Sequence, residues 1–186
     1  MVKKGQLYEG KAKKVFATDD PQLLIVDYKD DATAFNGLKK GTISGKGVIN
    51  NRMSNLLMQK LEKAGIPTHF VEELSERETL VKKVDIVPLE VIIRNIAAGS
   101  FSKRYGVEEG VVFDEPTIEF SYKNDELGDP LINDYHALAL KLATKEEIET
   151  IKKYAFGVND YLKAFWAECG VTLVDFKLEF GKIADG

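Results

Sequence analysis

The chain has 186 residues, 44% of them hydrophobic and 30% charged, with a net charge of −4. That suffices to bury a core, as one domain or two small ones, and the balanced charge carries no footprint for nucleic acid. No stretch approaches the ~18 apolar residues of a membrane span, and the N-terminus MVKKGQLYEG has no apolar signal segment. The single cysteine, Cys169, excludes an internal disulfide, and two histidines far apart, His69 and His136, argue against a zinc cluster. A soluble, cytoplasmic protein is expected, without a nucleic-acid or membrane partner.

In chain order, QLYEG and KKVFAT are predicted strands around a tight GKA turn, and QLLIVDYK is a mostly apolar strand. Residues 30–47, with Gly37, Gly41, Gly45 and Gly47, read as a mobile loop. A helix follows, its apolar stripe carried by Ile49, Met53, Leu56, Leu57 and Leu61, with Gly65 and Pro67 ending it. THFVEEL and ETLVKKVDIVPLEVIIRN are further strands. Pro88 should break the second run or begin a new strand, and a domain boundary is placed near 84–88. A short helix around SFSKRYG and a strand TIEFSYK come next. The longest helix, 144–168, opens on a T-x-x-E capping box, Thr144 and Glu147, and carries the stripe Ile148, Ile151, Ala155, Val158, Leu162, Phe165. Asn159, Asp160 and Glu168 read as solvent-facing. A closing strand spans 172–180. Strands and helices mix without strict alternation, so the fold class is α+β.

Three stretches could carry chemistry. In the closing strand Asp175, Lys177 and Glu179 share one face, spaced about 6.6 Å apart. Read alone, that face fits solvent; read functionally, a lysine between two acids can contact phosphate while an acid holds a cation. In PLEVIIRNIAAGS, Glu90 and Arg94 lie on one side of a mainly buried strand, where charge must be paired or wet. Ser100 could then cap the next helix, and free N–H groups beside an arginine would make a phosphate site, although an ion pair and an ordinary cap fit equally well. In EGKAKKVF, Lys11 and Lys13 flank Ala12, suiting nucleotide phosphates or the protection of a sheet edge. GTISGKG at 41–47 is not a P-loop. His69 reads as a packing or surface residue, and a Ser/His/Asp hydrolase lacks its G-x-S-x-G elbow.

Together these stretches resemble the phosphoribosylaminoimidazole-succinocarboxamide synthase (SAICAR synthetase) family, bacterial type. IVPLEVIIRNIAAGS at 86–100 and LVDFKLEFG at 173–181 match its two signatures, and LYEGKAKKVF, ATAFNG, GKG, INN, LVKK and KNDELGDPLIND extend the likeness over essentially the whole chain. The resemblance implies a two-domain fold related to ATP-grasp: an N-terminal antiparallel sheet domain, 1–84, covering ATP, and a larger mixed α/β domain, 85–186. It implies ATP and Mg2+ as cofactors, CAIR and L-aspartate as substrates, and a homodimer. The implied activity is an ATP-dependent ligation through an acyl phosphate, giving SAICAR, ADP and phosphate in purine biosynthesis.

By the same resemblance, Lys11, Ala12 and Lys13 lie over the ATP phosphates, and Val15 packs on the base. Lys82, Val84 and Ile86 belong to the ATP site, with 83–86 running past adenine like a kinase hinge. Glu179 and Glu90 bind magnesium. Lys177, Asp175 and Glu90 are catalytic, while Arg94, Ser100, Lys123 and Asn36 contact substrate. In the family the chain continues past a hairpin into a D-E-[IF]-S-P-D stretch that supplies another magnesium ligand; this sequence stops at KIADG and reads as truncated there. Two alternatives follow: an ATP-binding fragment without ligation, or a small-molecule kinase sharing the ATP site.

Overall fold

The computed structural model describes residues 1–34 and 39–183. These fall into two compact units, Met1–Val84 with Ile183, and Asp85–Lys182. The fold is α+β. Among the described residues no helix is long and apolar enough to cross a membrane.

The first unit begins with β1 (Lys3–Glu9), β2 (Lys13–Thr18) and β3 (Leu23–Tyr28). A two-stranded hairpin follows, β4 (Asp31–Ala34) with β5 (Lys39–Thr42), then α1 (Lys46–Lys63), β6 (Phe70–Glu73) and β7 (Glu78–Lys82). The main sheet has the order β1-β2-β3-β7-β6, all antiparallel. The mobile loop expected over 30–47 is thus in part a hairpin, registered from Asp31 opposite Thr42 to Ala34 opposite Lys39. Its polar, glycine-rich sequence carries no period-2 hydropathy signal.

Helix α1 buries a different face from the one its apolar residues mark. Leu61 is buried, but Ile49, Met53 and Leu56 are exposed, and the inward residues are Asn51 and Asn55. The Thr79 hydroxyl donates to Asn51 Oδ1 or Asn55 Oδ1, at 2.6 and 2.9 Å. Asn51 Nδ2 donates to the Ser75 carbonyl and Asn55 Nδ2 to Glu73, each at 3.0 Å. Amides satisfied in this way can be buried, and hydropathy spacing cannot register it.

The start of α1 is fixed from outside the helix. Asp30 accepts from the Gly47 N–H at 2.8 Å and the Gly45 N–H at 3.3 Å, and takes both Arg77 nitrogens at 2.8 Å. The Arg77 guanidinium, then the Gly47 N–H, hold the Asp30 carboxyl well below the usual carboxylate range. A Cβ on Gly47 would collide with the Tyr28 carbonyl and come within 2.5 Å of Arg77 Nη1. Gly47→Ala is therefore expected to destabilise this unit by about 1–3 kcal/mol, read as a lower urea midpoint, whereas Gly41→Ala, with open space around its Cβ, should not.

The second unit runs β8 (Asp85–Ile96), α2 (Gly99–Tyr105), β9 (Val112–Tyr122), β10 (Leu131–Ile132), α3 (Asp134–Ala139), α4 (Lys145–Glu168) and β11 (Asp175–Lys182). Its antiparallel sheet has the order β10-β9-β8-β11. Pro88 does not break β8. Five residues of β8, Ile86 to Glu90, lie against three of β11, Glu179 to Gly181, and Pro88 sits within this bulge, where its missing N–H breaks no regular ladder pair. Leu89, Val91 and Ile93, each 0% exposed, face the core with Phe120, Ile148, Ile151 and Ala155. The α4 capping box forms as expected: the Thr144 N–H donates to Glu147 Oε2 at 2.8 Å, and the Glu147 N–H returns to Thr144 Oγ1 at 3.2 Å. Asn159 is not solvent-facing. It is 0% exposed and exchanges both amide hydrogen bonds with Asn95 of β8, at 2.8 and 3.0 Å.

Candidate active site

The sheet of the second unit has two unlike faces. Opposite the core, β8 presents Glu90, Ile92 and Arg94, β11 presents Asp175, Lys177 and Glu179, and β9 presents Thr117, Glu119 and Ser121. Register sets them in rows: Glu179 beside Glu90 beside Ser121, Lys177 beside Ile92 beside Glu119, Asp175 beside Arg94 beside Thr117. Alternation of side chains puts all nine on one face.

Glu90 and Glu179 are direct cross-strand neighbours, an arrangement that repels unless a cation intervenes. Here each carboxylate meets a lysine. Lys177 Nζ donates to Glu90 Oε1 at 2.8 Å, and Lys123 Nζ is paired with Glu179. Burial pulls the Lys123 pKa down, but the Glu179 hydrogen bond and the charges of Glu179, Glu90 and Asp129 outweigh it, so the net shift is upward. Among the described residues no three His, Cys, Asp or Glu side chains group into a ready-made metal cage. Two adjacent carboxylates suit a hard cation such as Mg2+ that takes its remaining ligands from phosphate oxygens and water.

Arg94 lies at the other end of the face, 4% exposed. Its Nη1 donates to Asp175 at 2.9 Å and its Nη2 to the Ser100 hydroxyl at 3.0 Å. Its Nε and Nη2 both reach Glu119 Oε2, at 3.2 and 3.1 Å. Ser100 is not a helix cap. Helix α2 starts at Gly99 behind Ala98 without a side-chain cap, and the Glu109 carboxylate already accepts the Gly99 N–H at 2.9 Å. One N–H of that helix end, that of Gly99, is thus already taken by the protein's own carboxylate.

In the first unit, Lys11 and Ala12 sit in the β1–β2 turn and Lys13 opens β2. The turn is closed by the Gly10 N–H on the Lys13 carbonyl at 2.9 Å and the Lys29 N–H on the Ala12 carbonyl at 2.8 Å. Register and alternation place Lys13, Val15, Leu24 and Val81 on one sheet face. Lys82, next to Val81, points to the other face, and its Nζ donates to the Thr68 carbonyl at 3.1 Å. Val84 is half-buried and Ile86 exposed. Asn36 lies outside the described residues.

His69 belongs to the same unit, and its pKa falls to about 4, through burial first and then the charges of Lys13 and Lys82. The folded state thus favours the neutral imidazole. Above the ordinary value near 6.5 this contribution is complete; between pH 6.5 and 4 the unfolded chain binds a proton that the folded one refuses. Stability is expected to fall across that window by up to about 3 kcal/mol. Urea midpoints at pH 7 and pH 4.5 check it, and His69→Leu should flatten the difference.

A family model described as SAICAR synthetase matches residues 6–186. The chain belongs to the SAICAR synthetase family. It is 64% identical over 185 residues to the phosphoribosylaminoimidazole-succinocarboxamide synthase of Lachnoclostridium phytofermentans, covering 100% of this chain and 79% of that protein. The crystal structure of the Ehrlichia chaffeensis synthase superposes with a TM-score of 0.95 at 48% identity, over 98% of this chain and 77% of that one. A SAICAR synthetase solved in complex with ADP superposes with a TM-score of 0.93 at 49% identity, over 96% and 76% of the two chains. Membership makes this a nucleotide-using ligase acting on small molecules. Sequence reasoning missed Glu119 and Arg104 of this SAICAR synthetase family member. The one available signal was the alternation of Glu119 with Phe120 and Ser121, which by itself reads as an ordinary surface acid.

Proposed function

We infer that the chain joins L-aspartate to the carboxylate of CAIR, consuming ATP and releasing SAICAR, ADP and phosphate. The observation that carries this reading is the registered polar face, with Glu90 against Glu179 and a lysine on each. A carboxylate does not acylate an amine unaided. Transfer of the γ-phosphoryl group to a CAIR carboxylate oxygen makes an acyl phosphate. The aspartate amine then attacks the acyl carbon, a proton leaves the nitrogen, and phosphate departs with the transferred oxygen.

In this reading Glu90 and Glu179 would hold Mg2+, which when bound would supply neutralisation of phosphate charge. Lys177, released from Glu90, balances charge on the reacting carboxylate and phosphoryl oxygens, and Lys123 does so beside Glu179. Lys11, Ala12 and Lys13 approach the ATP phosphates, and Val15, Val84 and Ile86 pack around the base. Lys82, its Nζ on the Thr68 carbonyl, is proposed to border the ATP site. Asp175 and Ser100, both fixed by Arg94, receive the ribotide. Asn36 is proposed to contact substrate by family likeness alone. The protein is proposed to work as a cytoplasmic homodimer. Steady-state assays test the reading: ADP release should require CAIR, aspartate and Mg2+ together, and release that is indifferent to aspartate would sink it.

A further inference from the structure

We propose that Glu119 is a positioning residue for ribotide binding, acting through Arg94. The inference rests on the functional reading above and adds a residue that no part of that reading uses. Glu119 sits on β9, diagonal to Arg94 across the β8–β9 ladder. Its side chain is 9% exposed and that of Arg94 5%, so the two charges are withdrawn from water together. Such a pair is kept only where the geometry is good and the remaining hydrogen-bonding groups are satisfied.

The way the donors are divided assigns the role. Glu119 Oε2 takes the Nε and Nη2 edge of the guanidinium, at 3.2 and 3.1 Å. Glu119 Oε1 takes Arg104 Nη1 at 3.3 Å, which fixes the carboxylate from its other side. A guanidinium is planar and rigid, so gripping one edge sets the direction of the rest. What remains is directed at two residues that the solvent reaches: Nη1 at Asp175 and Nη2 at the Ser100 hydroxyl. Those are the groups assigned to the ribotide. An incoming anion can replace either contact without moving the guanidinium, because Glu119 keeps the buried edge. Without that grip, Arg94 would be a buried cation free to turn, and the ribotide would have to order it on binding.

Glu119→Gln retains size and one acceptor oxygen but removes the charge, and it turns an amide N–H2 toward one of the two arginines. The test is calorimetric binding of CAIR and, separately, of ADP with Mg2+, on the parent protein and the variant. The expected result is CAIR affinity weakened about 10-fold or more with ADP affinity within about twofold. A merely structural role would weaken both together or neither. Glu119→Asp, which keeps the charge on a shorter stem, should retain the fold and weaken CAIR binding alone by a smaller factor; should Glu119→Gln not fold, this variant decides. Unchanged CAIR affinity, or parallel loss of CAIR and ADP binding, overturns the role of Glu119 while leaving the ligase reading intact. A parent protein that binds ADP and no CAIR overturns both.

Discussion

Replacing Glu179 by glutamine is expected to lower kcat by about 10²–10³-fold, the usual scale for losing one preorganised electrostatic group. The Mg2+ concentration for half-maximal rate should rise with it. The reasoning starts from register: Glu90 and Glu179 stand opposite one another on adjacent strands, and like charges so placed repel. The fold nevertheless keeps both and brings a lysine to each. Glutamine preserves shape and removes half of that paired charge. Because the Glu179 side chain is well exposed, its loss should leave the unfolding midpoint nearly unchanged. Activity would then fall without stability, separating a cation-binding carboxylate from a structural one. An equal loss of stability and rate, with Mg2+ dependence unaltered, would assign Glu179 to the sheet instead.

A large stability effect is also expected at the Asn95–Asn159 pair. The two side chains exchange both amide hydrogen bonds in a site that excludes water, tying α4 to β8. Asn159→Leu keeps the branched outline but adds bulk and strands the Asn95 amide, costing about 1–3 kcal/mol. Asn95 donates also to the Leu173 carbonyl at 3.4 Å, so part of its hydrogen bonding survives in that variant. Replacing both asparagines by leucine removes the stranded groups together. The double variant should therefore lose less than the two single losses added, by 0.5 kcal/mol or more on the order of usual coupling energies. Strict additivity in urea titrations would contradict a coupled pair.

The elements that sequence located well are those whose burial follows hydropathy. Leu89, Val91 and Ile93 alternate and all reach the core; Ile148, Ile151, Ala155, Val158 and Leu162 follow the helical period and are all buried. Local chemistry was equally legible at Thr144 and Glu147, since a capping box needs only its own four residues. What hydropathy concealed is polar burial. Asn51, Asn55 and Asn159 look like surface residues, and only partners distant in sequence make them interior ones. The same holds for the site. Glu90, Arg94, Asp175, Lys177 and Glu179 could be assigned to one face of each strand from alternation. That the two strands are neighbours, and that Glu90 meets Glu179, depends on pairing across 89 positions of sequence, from 90 to 179. Family likeness supplied the roles, and register supplied the contacts. Ser100 shows the converse: a plausible cap by sequence, it is a hydroxyl held by Arg94 because Glu109 reaches the helix end first.

The central claim is that this face activates a carboxylate by phosphorylating it. The most direct measurement uses CAIR labelled with ¹⁸O in the carboxylate, incubated with the protein, ATP, Mg2+ and aspartate, followed by mass analysis of the phosphate released. Phosphate carrying one ¹⁸O atom per turnover is the predicted result, because the oxygen that attacks the γ-phosphorus leaves with it. Phosphate free of label, with SAICAR formed, would contradict the account.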